Sequence, residues 1–162
     1  MKKRINSYLL MLAGMSIGGI AGAAIEFRLT QKQINHWKNM SNKHLKLMIL
    51  LNQWFATKQE KKSIDAYFHK NKIENIAIYG MSYVGERLLD ELRDSDITVK
   101  YAVDQNADNI YADIDVILPG ENMPEVDAIV VTPIYYYYEI QEMLSSKVDC
   151  KIISLEDILN EI

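Results

Sequence analysis

The chain has 162 residues, of which 49% are apolar and 25% are charged. This length suits one compact domain with an appendage and excludes a large multidomain enzyme. The single cysteine, Cys150, excludes an intrachain disulfide and a thiolate zinc cluster, so a reducing compartment is expected.

The net charge of −4 conceals two segments of opposite sign. Residues 1–72 carry 13 Lys and Arg against 3 Asp and Glu, a net charge of +10. Residues 73–162 carry 5 against 19, a net charge of −14. The acidic C-terminal part argues against nucleic acid as a partner, because a nucleic-acid site needs a basic surface.

An uncharged segment of 21 residues, 5–25, follows three basic residues at the N-terminus. As a helix it would be about 31 Å long, which matches the hydrocarbon thickness of a bilayer. We therefore predict a transmembrane anchor over residues 1–27. The alternative is a secretory signal peptide that is cleaved at the small residues 21–23.

Three glycines in this segment, Gly14, Gly18 and Gly22, repeat every four residues and fall on one stripe of the predicted helix, a glycine zipper. Such a stripe lets two helix backbones approach closely in lipid. It favours self-association or packing against a partner helix. The alternative is that small residues are simply common in membrane helices.

The cations that flank the span predict its orientation. Five lie within about 20 residues after it and three lie before it, so the positive-inside rule favours a single-pass protein whose C-terminal domain is cytoplasmic. The basic juxtamembrane region, residues 28–72, would be attracted to an anionic leaflet by about 1 kcal/mol per cation near the surface. The membrane itself is therefore an expected partner.

A further helix is predicted over residues 41–58, where apolar residues recur at spacings of three and four. Two interpretations stay open. The helix lies in the membrane interface with Trp37 and Trp54 at headgroup level, or it covers the following domain or pairs with another chain.

From residue 73 the pattern changes to short apolar runs that alternate with amphipathic helices, which predicts a domain over residues 73–162 made of βαβ units. The predicted strands are 75–79, 98–103, 115–118, 128–131 and 151–153, and the predicted helices are 86–93, 136–146 and 155–162. Right-handed crossovers predict an α/β fold with one parallel sheet in the order 3-2-1-4-5.

The first strand-to-helix turn has the spacing G-x-G-x-x-G, with Gly80 and Gly85 at its ends and Ser82 in place of the middle glycine. The helix N-terminus that follows offers free N–H groups to a diphosphate, and the Ser82 hydroxyl is a further donor. The alternative is that the two glycines serve only the turn.

Asp104 ends the second strand, 24 residues after Gly80, near where an acidic residue binds a ribose 2′-hydroxyl. Gln105 and Asn106 follow it rather than arginine, so NAD is favoured over NADP. The alternative is that Asp104 is a solvated turn residue.

Four tyrosines, Tyr135 to Tyr138, follow the fourth strand at the sheet edge where ligands bind, and they either stack on a base or pack onto the sheet. None has a lysine four residues later, as a Tyr-x-x-x-Lys catalytic pair requires. No catalytic or metal-ligating constellation is predicted, because the three histidines all lie in the basic helical part and Cys150 has no histidine near it to activate its thiol.

Four segments together carry a family resemblance: IAIYGMSYVGERLLDEL, VKYAVDQNA, VDAIVVTPI and IISLEDIL. Over residues 62–160 the chain resembles the Rossmann-like nucleotide-binding domain of bacterial nucleoside-diphosphate-sugar dehydratases and epimerases and of related polysaccharide-biosynthesis proteins. The resemblance implies nucleotide contacts from the glycine turn, from the acid after strand two and from the end of strand four. These positions are Gly80, Ser82, Gly85, Asp104, Thr132 and Pro133. Ser82 departs from the family pattern.

Together these observations predict a membrane-anchored, non-catalytic accessory protein of bacterial cell-surface polysaccharide biosynthesis, such as capsule synthesis, located in the bacterial cell membrane. Its expected ligand is NAD or a nucleotide-sugar. Its expected partner is another membrane or polysaccharide-synthesis protein, or a second copy of the chain. The alternatives are an NAD-dependent oxidoreductase or isomerase subunit completed in trans, and a scaffold with a vestigial nucleotide site.

Overall fold

The computed structural model describes residues 26–120 and 122–162 in full, and for residues 2–25 it describes the backbone alone. The predicted span, residues 5–25, and its glycines Gly14, Gly18 and Gly22 therefore lie outside the fully described residues. Within the part of the chain that is described in full, no helix has both the length and the apolar composition that crossing a membrane requires.

Five helices and five strands, with two short 3₁₀ turns, follow in chain order. They are α1 (Lys2–Gln59), α2 (Asp65–Asn71), β1 (Asn75–Tyr79), α3 (Tyr83–Leu92), β2 (Thr98–Val103), a 3₁₀ turn (Ala107–Asn109), β3 (Val116–Ile117), β4 (Ala128–Val131), a 3₁₀ turn (Ile134–Tyr136), α4 (Tyr137–Ser145), β5 (Lys151–Ser154) and α5 (Leu155–Glu161).

The five strands form one parallel sheet in the order β3-β2-β1-β4-β5, which confirms the predicted α/β fold and strand order. β1 is central, and its last residue, Tyr79, pairs with Val103 of β2 on one side and with Val131 of β4 on the other. The chain leaves β1 toward β2 and later returns to β4 on the opposite side. This reversal opens a crevice at the carboxyl ends of β1 and β4, the position where open parallel sheets bind ligands.

Each face of the sheet has its own apolar core. α3 and α5 bury Leu88 and Ile158 against one face, and α4 buries Ile140 and Leu144 against the other. Successive strand residues point to opposite faces, so Ile78 belongs to the first core and its neighbour Tyr79 to the second. All five residues of the central strand are covered in this way or nearly so.

The chain divides into two compact units, Met1–Leu45 and Lys46–Ile162. In the fully described part of the first unit, Phe27 and Trp37 are 65% and 66% exposed. The second unit contains the last turns of α1 together with the whole sheet. It therefore begins upstream of the predicted domain boundary at residue 73, because Leu50 and Trp54 of α1 are buried in the core that α3 and α5 share.

The last turns of α1 are fixed to α3 by one carboxylate. Trp54 Nε1 donates to Glu91 Oε2 at 2.6 Å, and Lys58 Nζ lies 2.5 Å from Glu91 Oε1. The Glu91 side chain is only 9% exposed. The end of this segment packs on the following domain through Leu50 and Trp54, whereas Met48 and Phe55 of its predicted apolar face are each 63% exposed. Trp54 itself is packed inside the second unit, because it is 6% exposed and its N–H donates to Glu91.

At the amino ends of the strands, opposite to the ends where the crevice opens, Asp127 holds the start of β1 in place. Its Oδ2 atom accepts hydrogen bonds from Glu74 N at 2.9 Å and from Asn75 N at 2.8 Å. These backbone donors lower the pKa of Asp127, because they stabilise its charged form.

Candidate functional site

A cavity of about 590 Å³ lies at the carboxyl ends of β1, β2 and β4, at the crevice that the reversed strand order opens. Its volume falls within the range of small-molecule sites, about 300–1,000 Å³. The lining residues come from the ends of these strands and from the segment that leads into α4. They are Tyr79, Gly80, Asp104, Gln105, Pro133, Tyr136, Glu139, Ile140 and Met143.

The glycine turn between β1 and α3 requires both of its glycines. Gly80 has φ +94°, a conformation that side-chain-bearing residues rarely adopt, and a Cβ there would lie 2.7 Å from the Pro133 ring. A Cβ on Gly85 would lie 2.1 Å from the Gly80 carbonyl oxygen. α3 begins at Tyr83, so Gly85 is a residue of the helix and lets that helix pack directly against the turn. The two glycines thus have the turn and packing roles that the motif predicts.

Ser82 is the N-terminal cap residue of α3, with extended backbone. It is exposed, and its side chain makes no capping hydrogen bond to the helix within the described chain. It is not among the residues that line the cavity. A contact between the Ser82 hydroxyl and a phosphate stays a prediction.

Thr132 and Pro133 follow β4 and support the glycine turn from the neighbouring strand. The Thr132 hydroxyl, 3% exposed, donates to the Gly80 carbonyl oxygen at 2.7 Å. Because this hydroxyl is buried and used in the turn, Thr132 positions the site, while Pro133 is the member of the pair that lines the cavity.

Asp104 lies where the sequence places it, at the end of β2 and beside the glycine turn. Its Oδ2 atom accepts a hydrogen bond from Met81 N at 2.8 Å, and its Oδ1 atom accepts one from Asn106 N at 2.9 Å. The first bond joins the end of β2 to the N-terminal side of α3. Each carboxylate oxygen keeps a second lone pair, so Asp104 can still accept a hydrogen bond from a ligand hydroxyl.

Tyr79 is a cavity residue that the sequence analysis missed. Its side chain is 3% exposed, and its hydroxyl makes no hydrogen bond to any described residue. Burial raises the pKa of Tyr79. Two neighbours change that pKa less than burial does. The Gln105 side chain lowers it, although the two groups are not in hydrogen-bond geometry, and the charge of Asp104 raises it. The phenol is therefore neutral at physiological pH and has a donor to offer to a ligand.

The far wall of the cavity comes from the tyrosine run and from α4. Tyr136 lines the cavity and is 40% exposed, whereas Tyr137 donates its hydroxyl to the Ile152 carbonyl oxygen at 2.9 Å and packs on the sheet. Glu139, Ile140 and Met143 complete the wall. The first turn of a helix after the fourth strand is the signal that would have found these residues.

The arrangement provides acceptors, a neutral phenol and an apolar wall, and it is a binding geometry. The three histidines lie exposed on α1 and α2, as predicted for surface residues, and none of them lines the cavity. Burial raises the pKa of the Cys150 thiol, which therefore stays protonated at physiological pH.

Comparison with known proteins adds no relative: no protein-family model, no curated protein and no solved structure matches the chain. The resemblance to nucleoside-diphosphate-sugar enzymes stays a prediction from the residues that carry it.

Proposed function

We propose that the chain is a non-catalytic, membrane-anchored accessory protein that binds a nucleotide or nucleotide-sugar, in bacterial cell-surface polysaccharide biosynthesis. The observation that carries the binding half is the cavity at the switch point of the sheet, with Asp104 at its β2 edge. Ligands of open α/β sheets bind at this place, and an acid at the end of the second strand is suited to a ribose hydroxyl.

The membrane half of the proposal is supported by the uncharged segment 5–25 and its glycine stripe. The mechanism would be delivery: the anchor brings the α/β unit to a membrane partner, and ligand binding stabilises one arrangement of that unit. Within the second unit, the last turns of α1 are joined to α3 through Glu91, and α3 begins at the glycine turn.

A scaffold with a vestigial site is the second candidate, and one observation favours it. The Met81 N–H group, a donor of the glycine turn, is bonded to Asp104 and is not free for a ligand. A scaffold would keep the turn for folding alone, and its function would be insensitive to Ser82→Trp.

The experiment that tests the binding half is a thermal-shift titration of the full chain, in mild detergent, against NAD, NADP, CoA and several UDP- and GDP-sugars. A ligand at 100 times its Kd adds about 2.7 kcal/mol of stability, and each kcal/mol raises the Tm of a chain of this size by about 2–4 °C. We expect such a shift with one ligand and its loss in Asp104→Ala. No shift with any ligand would favour the scaffold.

The membrane half has its own test. Gly14→Leu and Gly18→Leu place large side chains on the predicted packing stripe, so association with the membrane partner or with a second copy should weaken. Unchanged association in cross-linking from native membranes would remove this half of the proposal and leave the binding half in place.

A further inference from the structure

The glycine turn is where a Rossmann-like domain normally binds a diphosphate, because the N–H groups at the start of the helix point at the ligand. In this chain the Met81 N–H donates to Asp104 Oδ2 at 2.8 Å. A carboxylate of the chain itself therefore lies beside the glycine turn, bonded to the residue that precedes the N-cap of α3. A phosphate that entered the turn would meet a like charge.

The cavity beside the turn has the same electrostatic character. Asp104 and Glu139 bring two carboxylates to it, and none of the described residues that line it is Lys, Arg or His. Like charges repel across a few ångströms. Anionic groups are disfavoured here, whereas hydroxyl and amino groups find acceptors.

An independent observation points to a ligand in this cavity, namely the hydroxyl of Tyr79. The residue is 3% exposed and lines the cavity, and its hydroxyl has no partner among the described residues. A buried hydroxyl without a partner costs about 1–3 kcal/mol of desolvation. A polar atom of a bound ligand would supply the missing hydrogen bond.

The remaining wall suits a flat ring. Pro133, Ile140 and Met143 present apolar surface, and the ring of Tyr136 lies beside them. A nucleobase offers a face to such a wall, and its polar edge and the ribose hydroxyls offer donors to the acceptors opposite. An uncharged nucleoside therefore matches both the apolar wall of the cavity and the acceptors opposite that wall.

We propose that the cavity recognises the uncharged nucleoside part of its ligand and that Asp104 keeps phosphate away from the glycine turn. A free nucleoside then binds at least as tightly as its 5′-diphosphate, the reverse of the order expected of a diphosphate-binding turn. This inference rests on the proposed function and names the part of the ligand that provides the affinity.

Isothermal titration of the full chain in mild detergent tests the order of affinities, with adenosine, uridine, cytidine and guanosine each compared with its 5′-diphosphate. The expected result is one base for which the nucleoside binds with a Kd equal to or lower than that of the diphosphate. A diphosphate that binds at least tenfold more tightly overturns the inference and leaves the proposed function standing. Binding of none of the eight compounds overturns both.

Asp104→Asn tests the role of the charge. The amide oxygen of asparagine can still accept from Met81 N, so the turn keeps its hydrogen bond while the negative charge is removed. Removing a unit charge near a phosphate should raise diphosphate affinity relative to the nucleoside by about tenfold. The matched control is Asp127→Asn, which removes a carboxylate that also accepts backbone N–H groups, at the other end of the sheet. If the ratio of diphosphate affinity to nucleoside affinity is the same in Asp104→Asn as in the control, the inference is overturned.

Tyr79→Phe tests whether the ligand forms a hydrogen bond with the unpartnered hydroxyl of Tyr79. Loss of one hydrogen bond should weaken nucleoside binding by about three- to tenfold. The control is Tyr101→Phe, since Tyr101 donates its hydroxyl to the Pro124 carbonyl oxygen at 2.7 Å and does not line the cavity. Nucleoside affinity that is unchanged in Tyr79→Phe would overturn the assignment of the nucleoside to this cavity.

Discussion

Besides the buried side chains of Leu50 and Trp54, one carboxylate, Glu91, joins α1 to α3, and its removal should destabilise the second unit measurably. The hydrogen bond from Trp54 to Glu91, 2.6 Å long, is worth about 1.5–3 kcal/mol because its acceptor is charged. The ion pair with Lys58, whose side chain is 45% exposed, adds only about 0.2–1 kcal/mol. We therefore expect Glu91→Ala to lower the free energy of unfolding by about 2–4 kcal/mol.

Urea unfolding of the full chain, followed by circular dichroism, measures this loss. The matched control on the same helix is Glu86→Ala. The Glu86 side chain is 51% exposed, and its carboxylate makes one long ion pair, 3.8 Å from an Arg87 nitrogen. That change should cost less than about 0.5 kcal/mol. A double-mutant cycle of Glu91→Ala with Trp54→Phe should give a coupling energy of about 1–3 kcal/mol. A Glu91→Ala loss no greater than that of Glu86→Ala, or a coupling energy near zero, would refute the reasoning.

Three further predictions concern the turn and the two ends of the sheet. Gly85→Ala should destabilise the fold by about 3 kcal/mol in urea unfolding, since its Cβ would overlap the Gly80 carbonyl. Gly120→Ala should be near neutral, because its Cβ would make only an ordinary van der Waals contact, 3.7 Å from the Leu118 carbonyl oxygen, and equal effects of the two changes would contradict the packing role of Gly85. Asp127 has a lowered pKa in the folded state, so its contribution to stability is present above about pH 4 and is lost as the pH falls through the folded pKa. Asp127→Asn should make the Tm fall less steeply with decreasing pH on the acid side. An unchanged fall would contradict the stabilising role of the ionised Asp127 carboxylate. Burial raises the pKa of Tyr101 to about 12, with a smaller effect from the thiol of Cys150, so its stabilising contribution holds below about pH 10 and is lost toward pH 12. Absorbance at 295 nm should show one phenol fewer ionising near pH 12 in folded Tyr101→Phe than in the folded wild type, and equal amplitudes there would contradict the assignment.

The sheet could be predicted from the sequence because its strands are buried on both faces. β1, β2 and β4 have the predicted bounds, since each ends in a buried apolar run that is closed by a polar residue or a glycine. β3 is shorter than predicted, only Val116–Ile117, because it lies at the sheet edge and pairs with a single neighbour. An edge strand has less to bury, and its sequence pattern is correspondingly weak.

The packing of α1 could not be decided from its own pattern. A stripe of apolar residues predicts that one face of a helix is covered, and it does not say whether lipid, another chain or the same chain covers it. A signal for the answer lies in α3. Glu91 follows Leu88 by three residues and precedes Leu92, so a carboxylate falls on the buried stripe of that helix, and such a residue needs a partner. The indole of Trp54 is that partner.

The cavity shows the same limit at the level of single residues. Gly80 and Asp104 are brought together as the motif spacing predicts, and Pro133 joins them as the family resemblance implies. Tyr79, Gln105 and Glu139 were missed. Motif spacing encodes the backbone path, which the parallel sheet fixes, and it does not encode which neighbouring side chains turn toward the crevice.

Asp104 shows why a motif residue in its expected place does not settle what binds there. The spacing from the glycine turn puts an acid at the end of β2, and in the folded chain that acid accepts a hydrogen bond from Met81 N. In the proposal, the carboxylate that accepts from a ribose hydroxyl disfavours the phosphates attached to that ribose. The two carboxylates and the neutral phenol that line the cavity would then select ligands by the donors they offer. The comparison of a nucleoside with its own diphosphate tests this balance directly, because the two compounds differ only in the group that the turn is expected to exclude.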